Sequence, residues 1–190
     1  MYFIRGEKFM GIFYHIDRLN KLQEGNEINL IMYKDLKGET QSTTTLLQNQ
    51  VDNMFEDGVS SHGEQYFISG SMFNDTSVDI ELIFELYRRI YFPEKISRFQ
   101  AFYCVEKENL KSMLQRLRVN INNVSVFEIQ SDVFEKHDMN LLLKNSNLVN
   151  TIYADLYWKG KSIQDPLYEI LVKPPFKVGK KVNIKDILNN

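Results

Sequence analysis

The sequence predicts an α+β fold, and three observations carry that expectation. Strand-like runs rich in aromatic and branched residues are interspersed with two clearly amphipathic helices, without the regular βα alternation of a doubly wound sheet. No Gly-x-Gly-x-x-Gly segment occurs, so the dinucleotide-binding turn of a Rossmann fold is missing. The 190 residues are 43% hydrophobic and 25% charged, ordinary globular usage that excludes a disordered, collagen-like or coiled-coil chain. That length, with no repeat and no linker rich in Gly and Ser, predicts one domain spanning residues 1–190.

The first strand is expected over Phe9–His15, where Phe9, Ile12, Phe13 and Tyr14 put bulky groups on both faces, as in a strand covered on each side. It delivers His15 to its C-terminal end. Asp17 is placed to cap a short helical segment through Leu22, Gly25 stops that segment, and a second strand follows over Glu27–Tyr33. Lys34–Thr45 is polar and reads as a loop. Thr45–Phe55 has helical spacing, with Leu46, Leu47, Val51 and Met54 expected inside, and Gly58–Gly63 reads as a turn-rich loop. Thr76, with Asp79 three residues on, forms a capping-box pattern ahead of the clearest helix. Ile80, Ile83, Phe84, Tyr87 and Tyr91 share one face of that helix, and Pro93 ends it.

Arg98–Val105 reads as a buried strand, followed by a second amphipathic helix through Arg118 on Leu110, Met113, Leu114 and Leu117. A turn at Asn120–Asn123 leads into a strand over Val124–Gln130. Residues 138–144 and 150–158 read as short helices, with strand left open for the latter by its Trp, Tyr and Ile. Leu167–Lys173 is a late strand terminated by Pro174-Pro175, and Phe176–Val178 with a short helix completes the chain.

The 23 Lys and Arg residues nearly cancel the 25 Asp and Glu, for a net charge of −2, so a broad basic surface for indiscriminate nucleic-acid binding is not expected. The single Cys104 cannot form an internal disulfide, and no stretch of about 18 apolar residues occurs. A reducing, cytoplasmic setting without membrane attachment is expected. With three histidines and one cysteine, none at ligand spacing, no metal centre is expected. Gly160-Lys161-Ser162 lacks the earlier glycine of a phosphate-binding loop, and no Gly-x-Ser-x-Gly elbow is present.

Five side chains carry the candidate chemistry. Strand alternation puts Glu169 on the face of Leu167 and Leu171, inside an otherwise apolar run. Burying an unpaired carboxylate costs several kcal/mol; the alternative is an edge strand whose Glu faces water, and Glu128, between Phe127 and Ile129, is a similar residue without a motif around it. His15 is either a hydrogen-bond donor into a cleft or a packed histidine. Arg98 suits either a phosphate or a structural ion pair with a helix carboxylate. Phe102 and Tyr103 either stack on a planar ring or pack the core.

Taken in order, Phe13-Tyr14-His15-Ile16-Asp17, then Ser97-Arg98-Phe99-Gln100-Ala101-Phe102 leading into a helix, then Tyr168-Glu169-Ile170-Leu171, resemble the ADP-ribosyltransferase superfamily. With Tyr157-Trp158, the chain is similar to a little-characterised bacterial group within it. The resemblance runs over about residues 9–178 and implies a split β-sheet core with flanking helices. It implies NAD as the substrate, Glu169 as the catalytic carboxylate, His15 on a ribose hydroxyl, Arg98 on the pyrophosphate, and Phe102 or Tyr103 against the nicotinamide. The outcome would be ADP-ribose transfer to a protein or nucleic-acid acceptor, or NAD hydrolysis. Toxin, antiviral or phage-encoded settings, and an inhibitory partner protein, fit such a domain. Ala101 stands where a hydroxyl is expected, and Leu167 replaces the Glu or Gln of arginine-modifying members, so the likeness does not extend to arginine as acceptor. The alternative is a noncatalytic interaction module of the same fold, with Tyr157-Trp158 anchoring a partner.

Overall fold

A computed structural model describes residues 10–33, 41–69, 77–143 and 145–188. Within them the chain folds into two antiparallel sheets and a helical layer. The first sheet has the order β1 (Gly11–Asp17), β4 (Ser125–Ser131), β7 (Phe176–Val182), β2 (Glu27–Ile28), and the second the order β3 (Phe102–Cys104), β6 (Tyr168–Val172), β5 (Phe134–Asp138). β1 pairs with β4 from Gly11↔Ser131 to Asp17↔Ser125, and β5 pairs with β6 so that His137 faces Glu169. Tyr14 and Val105 join the sheets by exchanging backbone hydrogen bonds of 2.8 and 2.9 Å. Mixed helix and sheet of this kind is the expected α+β class.

The alternation of β3 and β6 assigns each residue to a layer. Phe102, Cys104, Ile170 and Val172 point between the sheets and pack with Phe13, Phe127, Ile129 and Val178. Leu171 points the other way, against α3 (Ser77–Tyr91) and α5 (Asn147–Trp158), where Phe84, Ala154, Tyr157 and Trp158 are fully buried and Tyr103 packs beside them. Each such large apolar group contributes roughly 1.5–3 kcal/mol on burial. Trp158 also donates its indole N–H to the Phe84 carbonyl at 2.9 Å, which satisfies its polar atom. Tyr157 and Trp158 are therefore core residues and not a partner-binding surface.

Several local expectations are corrected. β1 begins at Gly11, and Met10 and Ile12 are exposed, so the strand is covered on one side there, while its pairing with β4 carries it past His15 to Asp17. Asp17 does accept backbone bonds, from Leu19 and Leu22 at 3.1 and 2.8 Å, but it closes an irregular turn with Asn20 at φ 51°, not a helix. The second strand stops at Ile28; Ile31 then makes an isolated bridge to Val59. Helix α1 (Gln41–Met54) starts four residues early and exposes Leu46 and Leu47; Val51 and Phe55 are its buried anchors.

The loop after Gly58 contains α2 (Ser61–Gly63), which continues as one π-helical turn, Glu64–Ile68. Arg98–Gln100 is a 3₁₀ turn before β3, not part of the strand. Between α4 (Leu110–Arg116) and α5, strand β5 is an element the sequence did not signal, and residues 139–141 form a 3₁₀ turn where a longer helix was expected. A last helix, α6 (Ile184–Leu188), follows β7. Phe9, the expected loop residues 34–40, the Thr76 cap and Lys144 lie outside the described residues.

Candidate functional site

The helical side of the three-stranded sheet holds a buried ionic cluster, assembled by three local devices. The first is the Arg98 turn. Ser97 caps it by accepting from the Phe99 N–H, and Ser60 of the preceding turn bonds the Phe99 carbonyl through both its N–H (2.8 Å) and its hydroxyl (3.1 Å). Gly63 packs so closely there that a Cβ would stand 2.3 Å from the Phe99 carbonyl oxygen. Residues 60–63 and 98–100 are thereby locked together, which sets His62 beside Arg98. The second device is α3, which presents Glu81 inward, onto Arg98. The third is β6, whose alternation turns Glu169 to the same side as Leu171.

Arg98, 3% exposed, uses its planar fork on both carboxylates. Nε and Nη2 donate to the two oxygens of Glu81 at 2.7 and 2.8 Å, a bidentate pair. Nη1 donates to Glu169 Oε1 and to the Tyr157 hydroxyl, the latter at 2.5 Å. Tyr157 in turn donates to Glu169 Oε1 at 2.8 Å. Both bonds to Glu169 thus converge on Oε1; among the described residues Oε2 accepts none.

The electrostatics follow from burial and pairing. Burial works against the Arg98 charge, but Glu169 and then Glu81 more than offset it and keep the guanidinium protonated. Burial pushes the Glu81 carboxyl up, and the charges of Arg98 and then His62 outweigh that and hold it well below the usual carboxylate range. The Tyr157 and Tyr103 phenols are pushed well up by burial, so both remain hydrogen-bond donors. Arg98, Glu81 and Glu169 together carry one excess negative charge before His62 is counted. His62 Nε2 stands 3.3 Å from Glu81 Oε1; its ring stacks on Tyr66 and lies tilted against Tyr103, with centroids 4.4 and 4.5 Å away. Tyr103 completes this wall: Arg98 lies 5.1 Å from its ring centroid, and its hydroxyl donates to the Arg98 carbonyl.

Of the five residues singled out in the sequence, Arg98, Tyr103 and Glu169 are brought together. His15 and Phe102 are not with them. Phe102 points between the sheets, and His15 stacks on it at 4.1 Å while donating from Nδ1 to the Tyr103 carbonyl at 2.7 Å. The three-stranded sheet therefore stands between the His15 imidazole and the Glu169 carboxylate, because neighbouring residues of β3 face opposite ways. His15 fastens β1 to the open edge of β3, and burial lowers its pKa. Arg98 has taken the structural pairing with a helix carboxylate; its donors reach Glu81, Glu169 and Tyr157 and are not presented to a pyrophosphate. Phe102 is 9% exposed and packs the inter-sheet core against Phe176.

Sequence reasoning missed Glu81 and His62. A signal for Glu81 existed: Glu81, Glu85 and Arg88 recur at i, i+4 and i+7 alongside the apolar stripe of α3, and all three are buried. Nothing marked His62 beyond a turn. Two clefts, of about 470 Å³ and about 320 Å³, lie elsewhere, one lined by Ile96, Phe134, Glu135 and Lys173 and the other by Tyr14, Lys107, Glu128 and Lys180. Among the described residues, no group of three His, Cys, Asp or Glu could hold a metal ion, and no helix is long and apolar enough to cross a membrane.

No curated protein matches the chain. A family model described as "Protein of unknown function (DUF2441)" matches residues 13–184, a span that takes in β1, the Arg98 turn and β6. The chain, with its two sheets and the Glu81–Arg98–Glu169 cluster between sheet and helices, belongs to that DUF2441 family.

Proposed function

We propose that the domain binds NAD beside Glu169 and transfers its ADP-ribose to an acceptor, or to water. The observation that carries the reading is a carboxylate clamped through one oxygen, by Arg98 and Tyr157, while its other oxygen accepts no bond among the described residues. The order of motifs that resembles ADP-ribosyltransferases, the division of the strands into two sheets and the place of Glu169 on a central strand lend further support.

In this reaction the bond between the nicotinamide nitrogen and the ribose anomeric carbon breaks, and its electron pair leaves with neutral nicotinamide. Positive charge builds on the ribose, as in glycoside cleavage. Glu169 Oε2 accepts from the ribose 2′-hydroxyl and faces that charge. A unit pair about 4 Å apart gains roughly 4 kcal/mol at an effective dielectric of about 20, which corresponds to about a thousandfold in rate. The acceptor's lone pair then closes on the anomeric carbon and its proton passes to solvent. In this account Arg98 holds the carboxylate instead of the pyrophosphate, and His15 and Phe102 serve the sheet junction.

A second reading, a noncatalytic interaction module, is favoured by one observation. Glu81, Glu85 and Arg88 of α3 turn inward while Leu82, Leu86 and Ile90 lie exposed, as do Leu148 and Ile152 on α5. Incubation with NAD labelled in the nicotinamide ring separates the two. The enzyme reading expects nicotinamide release by wild type and a loss of about a hundredfold to a thousandfold in Glu169→Gln. No release with protein, nucleic-acid and water acceptors present would leave the module as the surviving reading.

A further inference from the structure

We infer that Glu81 is a positioning residue for Glu169, acting through the guanidinium they share. Every donor of Arg98 that reaches Glu169 and Tyr157 is on Nη1; Nε and Nη2 are both held by Glu81 at 2.7 and 2.8 Å. A planar guanidinium gripped along one edge has its third nitrogen fixed in direction. Glu81 therefore decides where Nη1 points, and through it where Glu169 Oε1 and the Tyr157 hydroxyl sit. Glu81 is itself braced by His62 at 3.3 Å, on the turn that Gly63 locks to the Phe99 carbonyl. The path from Glu81 to Glu169 runs from a helix to a central strand, by way of the Arg98 turn, in three charged side chains.

The same helix supplies an internal control. Glu85, one turn further along and 0% exposed, binds Arg88 through two bonds of 3.1 and 2.9 Å and accepts from Ser97 at 2.8 Å. It is as buried as Glu81, and its link to the Arg98 turn is the Ser97 hydroxyl that caps that turn; it bonds neither the Arg98 guanidinium nor Glu169. A purely structural role makes Glu81 and Glu85 equivalent; a positioning role separates them.

The inference rests on the proposed reaction for its kinetic consequence, but not for the coupling itself, and two readouts keep these apart. In Glu81→Gln the amide offers one acceptor and places N–H groups against an Arg98 donor, so the guanidinium edge is no longer held on both sides. The ¹³Cδ resonance of Glu169, assigned through its absence in Glu169→Gln, should move in Glu81→Gln and return toward its wild-type position in Glu81→Asp. It should stay in place in Glu85→Gln. In nicotinamide release, Glu81→Gln should lower kcat about tenfold to a hundredfold with KM little changed, the size expected of a reacting group displaced by about an ångström, while Glu85→Gln should not lower kcat. An unmoved Glu169 resonance in Glu81→Gln, or equal movement and equal kcat loss in the two variants, would overturn the inference. A wild type that releases no nicotinamide, with the resonance behaving as expected, counts against the reaction and not against the coupling.

Discussion

Replacing Arg98 with Met should turn the buried cluster from a stabilising into a destabilising feature, and should reverse the sign of its pH dependence. The side chain is 3% exposed and shared by two carboxylates whose side chains are 9% and 6% exposed. Removing the cation leaves both buried without their counter-charge. Breaking a buried pair from one side costs about 3–5 kcal/mol, a large share of the 5–15 kcal/mol typical of a domain. At roughly 2–4 °C per kcal/mol for a chain of this size, the melting temperature should fall by about 6–20 °C at pH 7.

In the wild type the Glu81 carboxyl is held below its ordinary value. It therefore contributes stability that is present above the unfolded value of about 4.3 and is lost as pH falls through the folded value. In Arg98→Met the largest opposing influence, burial, is left against His62 alone. The folded carboxyl then titrates higher, and stability is lost as pH rises above about 4.3. Urea unfolding followed by the fluorescence of Trp158, the only tryptophan and a fully buried one, reads both effects. A variant within 1 kcal/mol of wild type at pH 7, or one whose deficit grows on acidification, would refute the assignment of Arg98 as the charge that balances this cluster.

The other expectations are simpler to state. Replacing Arg98, Glu81 and Glu169 together by Met and Leu should recover most of the stability lost in Arg98→Met, because a well-packed apolar substitute for a buried ion cluster is near neutral; additive losses on denaturant titration would contradict this. Cys104 is buried and its thiol is pushed well up by burial, so a soluble disulfide reagent at pH 8 should label it only at the rate of unfolding. Fast labelling of native protein would contradict its placement in the inter-sheet core. His15 has its pKa lowered by burial, so it contributes stability at neutral pH that is lost as pH falls below about 6.5; the slope of melting temperature between pH 5 and 7 should flatten in His15→Gln. Gly63→Ala should lower the melting temperature by several degrees, since its Cβ meets a carbonyl oxygen at 2.3 Å and backbone must shift to admit it.

What was readable in the sequence, and what was not, follows from how local each signal is. The amphipathic spacing of Ile80, Phe84 and Tyr87 and of Leu110, Met113 and Leu114 located α3 and α4, because helical periodicity is written in neighbouring residues. β6 was readable from its apolar run and the two prolines that follow. β5 was not: Phe134-Glu135-Lys136-His137-Asp138 has strand geometry only because it pairs with β6, from Phe134↔Val172 to Asp138↔Tyr168, a partner far along the chain. Leu46 and Leu47 misled for the opposite reason, since helical spacing gives a stripe but not which neighbour covers it.

At the site, residue type and order single out Glu169, Arg98 and Tyr103, which the structure brings together, and the sequence also offers the alternative of an ion pair between Arg98 and a helix carboxylate. Which side of β3 each residue faces depends on the register of three strands. His15 and Phe102 were consequently grouped with Glu169, although β3 turns Phe102 and Tyr103 to opposite faces.

The most direct test of the account is a crystal structure with a non-hydrolysable NAD analogue bound. The account expects the ribose carrying the nicotinamide on the helical side of the three-stranded sheet, with its 2′-hydroxyl within hydrogen-bond distance of Glu169 Oε2. An analogue seated between the sheets against His15 and Phe102, with Glu169 still sealed behind β3, would contradict it.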